Sequence, residues 1–113
     1  MKAGDVILTP LPQTDGKLKN RPAIILRAMP PYQDLLVCGV STQLQQEAKG
    51  FDEVIAPGDG DYTASGLVAR SLIRLGFLAV LPRTKIVGVI GSISLQRHQR
   101  LLKTLSDYLV RSG

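Results

Sequence analysis

Arg21 is the residue whose type and position best suit chemistry in this chain of 113 residues. It precedes Pro22 and opens the aliphatic run Ala23-Ile24-Ile25-Leu26. The Pro22 ring disfavours helical geometry at Arg21 and biases it towards extended backbone. An arginine anchored where a loop meets a strand suits phosphate recognition, because its planar fork offers fixed donors and stays charged. The alternative is a positively charged strand end in an ordinary β-barrel. Other catalytic constellations are missing. His98 is the only histidine and falls inside the last helical stretch, which argues against a Ser-His-Asp triad or a histidine-pair nuclease within one chain. No His/Cys cluster has zinc spacing, and no Gly-x-x-x-x-Gly-Lys phosphate loop occurs. Asp52-Glu53, Asp59 and Asp61 surround a turn and read as solvated acids rather than ligands, so no metal is expected.

The elements that must position Arg21 are mostly strands. Val6 to Leu8 predicts a first strand and Ala23 to Arg27 a second, whose near-continuous aliphatic run suits burial on both faces. Met29-Pro30-Pro31 breaks that run, and Leu35 to Ser41 forms the third strand. A short strand at Glu53 to Ile55 leads into the turn cluster Pro57-Gly58-Asp59-Gly60-Asp61. Gly66 to Ile73 and Phe77 to Leu81 then read as separate strands, and Lys85 to Ile90, flanked by Gly88 and Gly91, as a last strand or a strand with a bulge. Ser94 caps a helix that reaches about Arg111 and stops at Ser112-Gly113. Leu95, Leu102, Leu105 and Leu109 make its apolar stripe, widened by Leu101 and Tyr108, while Arg97, Arg100 and Lys103 belong to a solvated face. His98 reads as a surface or partly packed histidine. Short strands followed by one helix predict a single domain, a small twisted β-barrel or half-barrel with the helix packed on it.

Composition narrows the partners. With 44% hydrophobic and 20% charged residues the chain is globular, not disordered. No charged-then-apolar leader precedes Gly4-Asp5, and no apolar run approaches the ~20 residues that span a bilayer. Cys38 is the only cysteine and lies in an apolar run, which suits a buried thiol in a reducing cytoplasm. The net charge of +5 favours an anionic partner, nucleic acid or acidic protein equally. Only 4% of residues are aromatic, too few for a row of base-stacking side chains. A chain this small with so many aliphatic strands is expected to hide part of its sheet in a two-fold homodimer.

Gly4-Asp5-Val6, then Pro10-Leu11-Pro12 with Thr14-Asp15, then Arg21-Pro22-Ala23-Ile24-Ile25-Leu26 follow one another in the order of the MazF/PemK-like family, which the chain resembles. These are the toxins of bacterial toxin–antitoxin pairs. The resemblance runs from the first strand to the C-terminal helix and is strongest in the first half. It implies a mainly β, SH3-like barrel with a C-terminal helix, a homodimer, a cognate antitoxin, and cleavage of single-stranded RNA, mRNA included, in the cytoplasm. Val40-Ser41-Thr42-Gln43 resembles the family segment in which a hydroxyl residue neighbours the active arginine. Aligned on Gln43, the position of the functional threonine holds Ser41, with Thr42 directly after it, and the choice between the two stays open. Serine keeps the donor but lacks the stiffness of a β-branched side chain.

The implied chemistry is attack of the ribose 2′-hydroxyl on the adjacent phosphorus, without metal or cofactor. Arg21 suits stabilisation of the non-bridging oxygens, with Ser41 or Thr42 hydrogen-bonding the phosphate. The RNA-binding candidates are Thr14, Asp15, Lys17 and Lys19 in the first loop, with Arg70 and Arg74 around Ser71-Leu72-Ile73. Arg27 is a weaker one. Asp15 either orients Arg21 or shapes the turn, and Arg70 and Arg74 either line an RNA groove or make salt bridges at a strand end. A non-enzymatic alternative of the same fold is a gyrase-poisoning type of toxin or an inactive binder.

Overall fold

The computed structural model describes residues 1–12 and 15–111 of the chain. Strands run at Asp5–Pro12 (β1), Leu18–Met29 (β2), Asp34–Ser41 (β3), Glu53–Ile55 (β4), Ser71–Leu81 (β5) and Gly88–Ser92 (β6). A one-turn helix at Tyr62–Ser65 (α1) and a long one at Leu95–Val110 (α2) complete the helices, with short 3-10 turns at Leu44–Gln46 and Arg83–Lys85. Among the described residues the six strands form one antiparallel sheet in the order β4-β5-β3-β2-β1-β6. The sheet curls into a half-barrel, with α2 packed on one face.

Strand alternation divides the apolar residues between two faces. Val6, Ile24, Leu26, Cys38, Val40, Ile73 and Leu75 meet Leu101 and Leu105 of α2 on one face. Ile7, Leu11, Ala23, Ile25, Leu35 and Val37 cluster on the other, with Phe77, Ala79 and Leu81 against them. β2 supplies both clusters from adjacent positions, as its unbroken aliphatic run predicts. Cys38 is fully buried in the first cluster, and burial pushes its thiol up to about 12, so it is inert filling.

Two expectations change. Gly66–Arg70 is not strand: α1 and the segment after it cross β6, and β5 begins only at Ser71 and runs unbroken to Leu81. Gly66, at φ +74°, lies so close to β6 that a Cβ there would collide with the Ile90 carbonyl. A Cβ at Gly91 would strike the backbone of Ala64 and Ser65. These close contacts hold α1 and Gly66 against β6, and the chain from Gly66 to Arg70 is irregular. The last strand correspondingly starts later than expected, at Gly88, after the Arg83–Lys85 turn. A bulge is present in β6 at Ile90, which stands between Gly91 and Val89 as they pair with the consecutive Val6 and Ile7 of β1.

The second change concerns α2. Ser94 caps it as expected, its Oγ accepting from Arg97 N at 3.1 Å, but Leu95 and Leu109 of the expected stripe are exposed. The buried face keeps Leu101 and Leu105 of that stripe and adds Arg97 and His98. Arg97 is 7% exposed and reaches Asp61 through Nε at 2.8 Å, Glu53 at 2.9 Å and Asp59 at 3.1 Å. Asp61 also accepts from Ser94 N at 3.0 Å. The acids that read as solvated are therefore the counter-charges of a helix arginine. Asp52 is occupied too, accepting from Ala48 N and Leu75 N. His98 packs inside and donates from Nε2 to Leu26 O at 2.9 Å.

Candidate functional site

The pairing of the central strands leaves a gap on the face away from α2. β2 pairs with β3 from Ala23↔Gly39 onwards, while β1 and β2 continue together from Thr9↔Arg21 out to Pro12↔Leu18. Pro22 has no N–H with which to extend the ladder towards β3. The β1–β2 arm therefore projects beyond β3, and Arg21 stands at the mouth of the gap. Continuing the Ala23↔Gly39 register brings Arg21 level with Ser41. Both then lie on the face of Ala23 and Val37, because side chains two apart share a face.

The third wall comes from a bulge. β5 pairs Leu78 with Cys38 and Arg74 with Gly39, so Leu75, Gly76 and Phe77 stand between two successive partners. The N–H of Leu75 is taken by Asp52 Oδ1 at 3.0 Å, which holds the bulge in shape. The result is a cleft of about 370 Å³ lined by Arg21, Ser41 and Arg74, by the Gln43 and Gln46 side, and by an apolar floor that includes Leu11 and Phe77.

Each group in the cleft has a fixed setting. Arg21 is half-buried within β2, which starts at Leu18 and not at Ala23, so it stands inside the strand and not at the loop–strand junction expected, with its Nε shielded from solvent. Ser41 Oγ accepts from Gln43 N at 3.0 Å, so its hydroxyl is held at the strand end while its proton can be donated. Arg74 lies with its guanidinium over the Phe77 ring, 5.8 Å from the centroid. Two guanidinium groups and a hydroxyl around one concavity can bind a phosphate and stabilise charge gathering on its oxygens.

Arg21, Ser41 and Arg74 are thus brought together. The other predicted residues are not in the cleft lining. Thr42 follows the end of β3, is exposed and is not among the residues lining the cleft. Arg70 is exposed in the segment ahead of β5. Lys17 and Lys19 are exposed on the projecting arm, and Arg27 is exposed farther along β2. Asp15 Oδ1 accepts from Lys17 N at 2.9 Å and shapes the turn. Thr14 lies outside the described residues. Among the described residues, no group of three or more His, Cys, Asp or Glu side chains is arranged to hold a metal ion, and no helix is long and apolar enough to cross a membrane.

Phe77, Gln43 and Gln46 line the cleft without having been singled out in the sequence. Gln43 was visible only as the end of the Ser41-Thr42 segment. Phe77 follows a glycine at what reads as a strand start, which is the one local sign of the bulge.

A family model described as PemK-like, MazF-like toxin of type II toxin–antitoxin system matches residues 2–109. No individual curated protein is significantly similar to the chain.

Proposed function

The chain belongs to the PemK-like, MazF-like toxin family of type II toxin–antitoxin systems, and from that premise we propose that it is an endoribonuclease cutting single-stranded RNA in the cleft between β2, β3 and β5. The observation that carries the reading is the convergence of Arg21, Ser41 and Arg74 on one cavity of phosphate-binding character. The scissile phosphate binds between the two guanidinium groups. The neighbouring ribose 2′-hydroxyl attacks phosphorus, the bond to the 5′-oxygen breaks, and the products are a 2′,3′-cyclic phosphate and a 5′-hydroxyl. Arg21 stabilises the non-bridging oxygens as they gain charge, and the Ser41 hydroxyl donates to one of them. Arg74 adds a second positive charge. The proton taken from the 2′-hydroxyl ends on the departing 5′-oxygen, so the step needs no outside reagent.

Family membership implies a cognate antitoxin. In this reading its acidic, apolar tail covers the same basic cleft. The active form is a homodimer in the cytoplasm. Its support is the apolar surface exposed at Leu78 and Val80 of β5 and at Tyr108, Leu109 and Val110 of α2.

A long single-stranded RNA incubated with the protein in EDTA, with both new ends mapped, tests the proposal. Cyclic phosphate and 5′-hydroxyl ends at defined positions are expected. Intact RNA, or cutting only after a divalent metal is added, overturns it, and intact RNA with tight binding would favour a non-enzymatic toxin.

A further inference from the structure

We propose that Phe77 is the platform on which a nucleobase next to the scissile phosphate stacks, with the side-chain amides of Gln43 and Gln46 set to read its edge. The inference rests on the RNA-cutting reading above and assigns part of that site its substrate contact. Phe77 is one of two phenylalanines in the chain, and among the described residues it is the only aromatic ring lining the cleft. Its inner side is packed on the cluster formed by Ile7, Leu11, Ala23, Ile25, Leu35 and Val37. The bulge at Leu75–Phe77 frees it from the ladder and lets it lean over Gly39. There a Cβ would meet Phe77 Cγ at 3.3 Å, so the absence of a side chain on β3 is what lets the ring lie flat in the floor.

A flat aromatic surface beside a phosphate site has an evident use with a single strand. Bases stack on such faces regardless of identity, and selectivity then comes from hydrogen bonds to the base edge. The cleft supplies both parts. Gln45 Nε2 donates to Gln43 Oε1 at 2.8 Å, which orients the Gln43 amide and leaves its NH₂ as the group available to a ligand. Gln46 adds a second amide on the same wall. Arg74 stands at 5.8 Å from the ring centroid, near the outer limit of a cation–π contact, so the ring holds it loosely. An entering base takes that place, and the guanidinium turns to the phosphate.

The test uses the whole protein and an oligoribonucleotide spanning a mapped cleavage site. A 2′-deoxy sugar at the cut blocks the reaction, and 2-aminopurine replaces, in turn, the base on each side of the cut. Wild type should quench the fluorescence at one of the two positions. Phe77→Leu keeps apolar volume against the core but has no ring. It should lose the quench and weaken binding by about 5- to 150-fold, the range for one base–aromatic stack. Phe77→Tyr should retain both. On the cleavable RNA, Phe77→Leu should raise KM more than it lowers kcat, and Gln46→Ala should relax the base preference at the quenched position. A folded Phe77→Leu protein with unchanged quench and KM overturns the assignment while leaving the nuclease reading intact. An RNA that wild type neither binds nor cuts overturns both.

Discussion

A guanidinium carried on a strand is useful to phosphoryl chemistry only if its direction is fixed. Arg21 gains that from Pro22 behind it, from its pairing opposite Thr9, and from partial burial. Its loss should therefore be felt in rate more than in folding. Arg21→Ala is expected to lower the cleavage rate about a hundredfold or more, the usual scale for removing one oxyanion donor. Arg21→Lys should restore only part of it, because a point charge cannot replace the fork. Single-turnover cleavage beside a thermal melt of each variant decides the matter, and a folded Arg21→Ala with wild-type rate refutes the role. The same assay separates the hydroxyls: Ser41→Ala should slow the reaction, whereas the exposed Thr42→Ala should not. Arg21 was legible in the sequence because proline imposes a local constraint that needs no partner. Which of Ser41 and Thr42 lines the cleft was not, since it depends on where β3 ends beside β2. Phe77 was hidden for a related reason. Alternation predicts facing only along an unbroken ladder, and the Leu75–Phe77 bulge interrupts it.

At the scale of elements, the strands that carry the cleft were readable from their apolar runs, and the helix from its cap. What ties the two together was not. Arg97 joins α2 to β4 and to the turn at Asp59–Asp61, across 36 residues in the case of Asp61. On a helical wheel it looks like one more surface charge. Burial alone raises the Asp61 carboxyl. The hydrogen bonds from Arg97 and Ser94 N, with the Arg97 charge, outweigh it and leave the group below the ordinary carboxylate range. A carboxylate lowered in the folded state contributes stability above the unfolded value of about 3.9 and loses it as pH falls through the lower folded value. Urea midpoints should accordingly drop as pH is taken from about 5 to below 3. Asp61→Asn should be less stable than wild type at neutral pH, by as much as the ~3 kcal/mol typical of breaking a buried pair. The gap between the two proteins should close towards the acid end. Parallel midpoint curves for the two proteins would show that Asp61 is not the group responsible. Cleavage by the folded Asn variant should stay near wild type, because the ion cluster lies on the α2 side of the sheet and the cleft on the other.

For the whole molecule, the net charge of +5 is less informative than its distribution. Glu53, Asp59 and Asp61 are spent on Arg97 and Arg100 at the α2 side, and Asp107 is paired with Lys103. The helix face is thus close to internally balanced. Arg21 and Arg74 line the cleft on the opposite side, and Lys17 and Lys19 are exposed on the projecting arm. An RNA strand held there displaces counterions in proportion to the phosphates it neutralises. On a single strand each contributes about −0.7 to the slope of log affinity against log salt. Two cleft contacts alone predict roughly −1.4, and engagement of both arm lysines takes the slope to about −2.8. Titrating an uncleavable 2′-deoxy-blocked oligonucleotide over a range of salt measures it. Arg74→Ala should flatten the slope by about 0.7, the double change of Lys17 and Lys19 to Ala by up to about 1.4, and Arg100→Ala not at all. A slope unmoved by the cleft and arm substitutions, or one that responds to Arg100, would mean that the strand binds the helix side and that the cleft is not its site.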